Sequence, residues 1–127
     1  KYLSDTIMKG LHVFKGVDYS QEITIEQLLA HTSGLPDYFE DKGKDGQSLE
    51  QKITAGTDMY WSFEDCINLS KSMSPLFKPG TPNKAHYSDA NFQLLGKIIE
   101  NITGKSISVN FNEYIIQPLQ LTSTYLY

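Results

Sequence analysis

The chain has 127 residues, 39% of them hydrophobic, which suits one domain with a real core and excludes a disordered composition. The formal net charge is -4 and no basic cluster occurs, so nucleic acid is not an expected partner. No apolar run approaches the length of a membrane span, and no signal peptide is visible at Lys1.

Leu3, Ile7, Leu11 and Phe14 fall at helical spacing, a pattern weakened by Gly10 and Gly16. Thr24, with Gln27 three residues on, forms a capping-box pattern and predicts a helix whose buried stripe is Ile25, Leu28 and Leu29. Gly34 is expected to end it, and Pro36 to prevent its resumption. The polar run 40–47, with Gly43 and Gly46, reads as a surface loop. A short helix is predicted after Ser48. Another follows Ser62, where Asp65 completes a second capping pattern and Phe63, Cys66, Ile67 and Leu69 are apolar. Pro75, Pro79 and Pro82 then exclude regular structure, and Pro79-Gly80 signals a turn.

The strongest helix is predicted from about Asp89 to Thr103, stopped by Gly104. Phe92, Leu94, Leu95, Ile98, Ile99 and Ile102 are dense enough to suggest burial on more than one side. Ser106 is expected to cap a last helix through Val109, Phe111, Tyr114, Ile115 and Ile116, ended by Pro118. No strand signal matches these helices, although the stretch 119–127 suits an extended conformation.

The single cysteine, Cys66, cannot form an internal disulfide and reads as a small apolar filler. His12, His31 and His86 form no ligand pair at metal spacing, so neither metal nor cofactor is expected. His31-Thr32-Ser33 is not read as a serine–histidine pair. Neighbours at one helix end do not meet nucleophile–base geometry, and Gly-x-Ser-x-Gly is absent. These residues instead suit closing a helix and fixing the next turn near a cleft.

Three segments in order carry a resemblance. They are Ile23-Thr24-Ile25-Glu26-Gln27-Leu28-Leu29-Ala30-His31-Thr32-Ser33-Gly34-Leu35; Phe77-Lys78-Pro79-Gly80-Thr81 followed by Tyr87-Ser88-Asp89 and its helix; and Ile116-Gln117-Pro118-Leu119-Gln120-Leu121-Thr122-Ser123-Thr124. Together they resemble the penicillin-recognising serine hydrolases, which include class C β-lactamases, DD-carboxypeptidases and related esterases. That family uses a Ser-x-x-Lys nucleophile, a Tyr-x-Asn or Ser-x-Asn element, and a Lys-Thr-Gly or His-Thr-Gly strand. Only the second has a counterpart here. No serine is followed three residues later by lysine, and neither third-element triplet occurs.

The resemblance implies a mainly α fold for residues 1–127: the all-helical subdomain of the β-lactamase/DD-peptidase-like fold, without its antiparallel sheet domain. It makes Tyr87 the base and proton shuttle of a larger enzyme, with Ser88 inside the motif. Asp89 stands where the family has asparagine, as a lysine or substrate contact. An ionised aspartate only accepts hydrogen bonds, whereas asparagine also donates. This disfavours β-lactam hydrolysis and leaves peptidase or esterase activity open. Asp89 also suits an N-cap of the following helix.

The implied partners are the α/β subdomain of the same parent chain and a peptide, β-lactam or ester substrate. The parent's implied setting is the bacterial envelope or the secreted space. Without its nucleophile the chain alone is expected to be inactive, and its cut face to drive self-association. With no cation nearby, Tyr87 is expected to titrate near the ordinary value of about 10. The competing readings are a stand-alone helical binding module and a non-catalytic binder of cell-wall peptide.

Overall fold

Local capping decides where most of the helices begin. The computed structural model describes residues 2–56 and 60–126. Helix α1 is Asp5–Met8, α2 Ile25–Leu29, α3 Leu49–Thr54, α4 Phe63–Ser72, α5 Asp89–Thr103 and α6 Ile107–Phe111. At α2 the Thr24 hydroxyl accepts from Gln27 N (3.2 Å) while the Gln27 side chain accepts from Thr24 N (3.0 Å). Ser48 and Gln51 repeat this box at α3, and Ser62 and Asp65 at α4. Each box satisfies two backbone donors that a helix start otherwise leaves unpaired.

The opening stretch is not one helix. After the single turn of α1, Val13–Phe14 (β1) and Val17–Asp18 (β2) pair antiparallel, Val13 opposite Asp18 and Phe14 opposite Val17. Lys15 and Gly16 both have positive φ (50° and 82°), the torsions of the two-residue turn whose twist suits a hairpin. The apolar spacing of Leu3, Ile7 and Leu11 misleads because Leu3 and Leu11 reach the core from outside any long helix. This hairpin is the only sheet among the described residues, and the fold is mainly α.

α2 also ends earlier than Gly34 suggests. His31 takes the left-handed conformation (φ 55°) directly after the helix, and of the expected stripe only Leu28 is buried. Leu29 is exposed. Gly34 (φ 76°) serves a later bend, where a side chain would run into the Phe77 carbonyl oxygen. Residues 73–88 return as irregular chain tied to this bend. Leu76 N donates to Gly34 O, Gly80 N to Thr32 O and His86 N to His31 O, each at 2.9 Å. The Pro79-Gly80 turn forms as expected, with Thr81 N donating to Lys78 O (3.1 Å) and Gly80 at φ 69°.

α5 packs against α2, α4 and α6 and is the spine of the core. Its buried apolar residues Ala90, Leu94 and Ile98 share the core cluster with Leu28, Leu35, Leu49, Cys66 and Ile67, and Asn91 is buried on the same helix. The burial is one-sided: Phe92 is 51% and Ile102 61% exposed, contrary to the density of apolar residues. Gly104 ends α5 in the left-handed conformation, as expected. α6 runs on into a wide π-helical turn, Asn112–Ile116, and the chain then continues through turns rather than a strand. Cys66 is buried in the core, which pushes its thiol pKa up.

Candidate active site

The turn Tyr87-Ser88-Asp89 enters α5 across a cradle made by residues 31–41. Tyr87 and Asp89 share one hydrogen bond: the phenol donates to Asp89 Oδ1 at 2.7 Å. Tyr87 is half-exposed, and its ring lies 4.7 Å from the His31 imidazole and 6.1 Å from Phe92, centroid to centroid. Two rings thus limit where the phenol can swing.

Ser88 has a different place. It is fully buried, and its hydroxyl donates to Pro36 O (2.8 Å). It occupies the N-cap position of α5 without a side-chain capping bond, and Asp89 is the first helical residue rather than the cap. Among the site residues read from the sequence, the structure brings Tyr87 and Asp89 together at the surface and turns the Ser88 side chain inward.

His31 Nδ1 faces two groups of this turn. Ser88 N donates to it (3.3 Å), and the Asn91 amide nitrogen lies 2.9 Å away. Both bonds need a bare, unprotonated Nδ1. Asn91 is itself fully buried and accepts from Ser33 Oγ (2.7 Å). Ser33 is likewise buried, bonds to Asn91 rather than His31, and cannot meet a substrate. Asp37 completes the cradle. Its Oδ1 accepts from Phe39 N (3.0 Å) and Asp89 N (3.4 Å), while its buried Oδ2 has no partner among the described residues. Burial, with the nearby charges of Asp89 and Asp41, pushes the Asp37 carboxyl pKa up. Asp41 Oδ2 accepts from Asp37 N (2.8 Å) and meets His86 Nε2 (2.9 Å).

Sequence reasoning missed Asp37 and Asn91. A polar residue on the inner face of an apolar helix was the available signal for Asn91, since burial there demands partners. Nothing in the pattern marks Asp37, which follows a proline and reads as an ordinary turn residue.

The surroundings overturn the expectation that Tyr87 titrates at its ordinary value. Its pKa is pushed up to about 12, first because its proton is held by Asp89, then by desolvation and by the negative charges of Asp89, Asp37 and Glu40. In this arrangement the phenol is a weaker acid than a free tyrosine. Burial pushes the Tyr38 phenol pKa up as well, so absorbance titration of the chain is expected to show two late-ionising tyrosines, of which one disappears in Tyr87→Phe and moves back towards about 10 in Asp89→Asn. The same midpoint in Asp89→Asn would show that Asp89 does not control the phenol.

Beside Asp89 opens a cleft of about 640 Å3 that runs along α5. Trp61, Phe63 and Phe92 line it with Gln93, and Lys97 and Glu100 lie at its far end. Lys97 is already engaged there, 3.3 Å from Glu100 Oε2 and over the Phe63 ring.

Comparison with known proteins gives this geometry a context. The profile of the family described as Beta-lactamase matches residues 2–127. A teichoic acid D-alanine hydrolase of Staphylococcus aureus is 31% identical, over 98% of this chain and 26% of its own length. The crystal structure of a D-stereospecific amidohydrolase from Streptomyces sp. is similar with a TM-score of 0.68 and 30% identity, covering 93% of this chain and 34% of that one. A D-amino acid amidase from Ochrobactrum anthropi SV3 matches with a TM-score of 0.62 and 25% identity, over 82% of this chain and 27% of its own. The chain thus spans about a quarter to a third of the length of these relatives.

Proposed function

The chain belongs to the beta-lactamase family, and from that premise we propose that it is the helical part of a longer serine hydrolase in which Tyr87 shuttles the proton. The observation that carries this reading is the Tyr87–Asp89 hydrogen bond, held at the start of α5 by a buried cradle. A cradle of fixed polar contacts is how a catalytic group is kept within its working geometry. The substrate class is the ester or amide of a D-amino acid, a reading supported by the D-alanine and D-amino acid named for two relatives and by the D-stereospecificity named for the third. The setting is the cell envelope or outside it, in keeping with the teichoic acid named for the staphylococcal relative.

The mechanism follows from what the chain holds and what it lacks. A serine hydroxyl supplied from outside residues 1–127 attacks the carbonyl carbon, and the Tyr87 oxygen, as phenolate, takes its proton. The tetrahedral intermediate collapses as Tyr87 returns that proton to the departing alcohol or amine. Water then repeats the cycle on the acyl-serine. The phenolate is disfavoured here, because carboxylates surround Tyr87 and, among the described residues, no lysine pairs with Asp89. Positive charge must therefore arrive with the Ser-x-x-Lys segment of the longer protein or with the substrate.

The same reading makes the isolated chain inert. Purified residues 1–127 are expected to release no product from nitrocefin or an activated ester, and a burst of product would overturn the reading. Exposed Phe111, Tyr114, Ile115, Leu119 and Leu121 supply an apolar surface for the missing part. Unpartnered, such a surface promotes association. Light scattering of the isolated chain is expected to show oligomers whose population grows with concentration, and a clean monomer would count against the missing partner.

A further inference from the structure

We propose that the cleft beside Asp89 is the subsite for the protonated α-amino group of the substrate's acyl part, with Asp89 Oδ2 as its acceptor. This rests on the hydrolase reading and deepens it. The enzyme would require a free amino acid ester or amide and reject the N-acylated form.

Asp89 is half-buried, and its Oδ1 is occupied by the Tyr87 phenol at 2.7 Å. Oδ2 takes no hydrogen bond from the described residues, and Asp89 is one of the residues that line the cleft. A carboxylate offers only acceptor positions, so whatever docks there must donate. The nearest cation along the cleft, Lys97, sits eight residues further on, about 12 Å along the helix, and is paired with Glu100. Trp61, Phe63 and Phe92 form apolar walls that thin the water around the carboxylate, which strengthens its contact with a cation. The other carboxylate of the cleft, Glu100, is already engaged, its Oε2 by Lys97 and its Oε1 by Ile107 N.

Reach fits the chemistry. In an aminoacyl ester the α-nitrogen lies about 2.5 Å from the carbonyl carbon, as backbone bond lengths require. An ammonium on Oδ2 therefore holds the scissile carbonyl next to the oxygen that must move the proton. It also offsets the negative field that makes Tyr87 a poor acid, so the correct substrate helps to generate its own base. An N-acetyl group removes the charge, adds bulk and leaves a single N–H donor in place of three.

The test compares two substrates in the full-length protein: a D-alanyl ester and its N-acetyl counterpart. The wild type is expected to favour the free amine by at least about 10-fold in kcat/KM, the range of one charge-assisted hydrogen bond. In Asp89→Asn the ratio is expected to fall to within about 2-fold, because any common loss from a disturbed Tyr87 cancels in it. Binding gives a second measure. In Tyr87→Phe, D-alaninamide is expected to bind at least about 10-fold tighter than N-acetyl-D-alaninamide by calorimetry, and Tyr87→Phe/Asp89→Asn to lose the difference. A preference that survives Asp89→Asn would assign Asp89 to a lysine of the protein and overturn the proposal. Turnover with no preference in the wild type would overturn it while leaving the hydrolase reading intact. No turnover of either ester would sink both.

Discussion

Tyr87→Phe is expected to lower kcat of the full-length protein by roughly 100- to 10,000-fold, the usual contribution of a positioned acid–base group. The substitution removes one oxygen and nothing else. The ring keeps its place between His31 and Phe92, and the backbone contacts of Ser88 and Asp89 with the cradle remain. KM should therefore change little, because substrate binding does not depend on the phenol's proton. Thermal stability should also hold, since the lost hydrogen bond is solvent-exposed. Steady-state kinetics and a melting curve on the same preparation check both halves. Unchanged kcat would take Tyr87 out of the mechanism.

Gly34→Ala should strongly destabilise the fold. Gly34 has φ 76°, where an L side chain costs about 1–2 kcal/mol. An added Cβ would also strike the Phe77 carbonyl oxygen, part of the backbone and unable to rotate aside. Overpacking of that kind costs about 1–3 kcal/mol. Together they come to about 3 kcal/mol, a fall in Tm of about 10 °C for a chain of this size. The damage should reach the site as well. Leu76 N bonds to Gly34 O, and Gly34 lies between Ser33, which holds Asn91, and Pro36, which holds Ser88. A melting temperature within about 2 °C of the wild type would show that the bend relaxes at little cost.

What could be read from the sequence was local chemistry. Thr24 with Gln27 and Ser62 with Asp65 announced two helix starts, because each box closes within four residues, and Ser48 announced a third, although its box with Gln51 came to light only in the fold. Gly104 announced the end of α5 for the same reason. The hairpin at Val13–Phe14 and Val17–Asp18 escaped because two-residue strands leave no alternating pattern, and Lys15-Gly16 is a weak turn signature. Which side of α5 is dry was also illegible. Phe92 and Ile102 are as apolar as Leu94 and Ile98, and only the tertiary neighbours separate them.

The site was half legible. Tyr87 and Asp89 stood out as neighbours in a motif, yet their mutual hydrogen bond did not, and with it the rise in the phenol's pKa was missed. Asp37 and Asn91 act across 52 and 60 residues of sequence, on Asp89 and His31 respectively. No window along the chain reveals contacts of that span.

Among the described residues, the contacts that aim Tyr87 come from two short stretches of this chain, 31–41 and 86–92. In the proposed enzyme the aim of the base is thus written independently of whatever segments supply nucleophile and lysine. Such a piece behaves as a cartridge: exchanged between relatives with both stretches intact, it carries its alignment into a new enzyme, whereas a crossover between them breaks the sight line while leaving every motif in place.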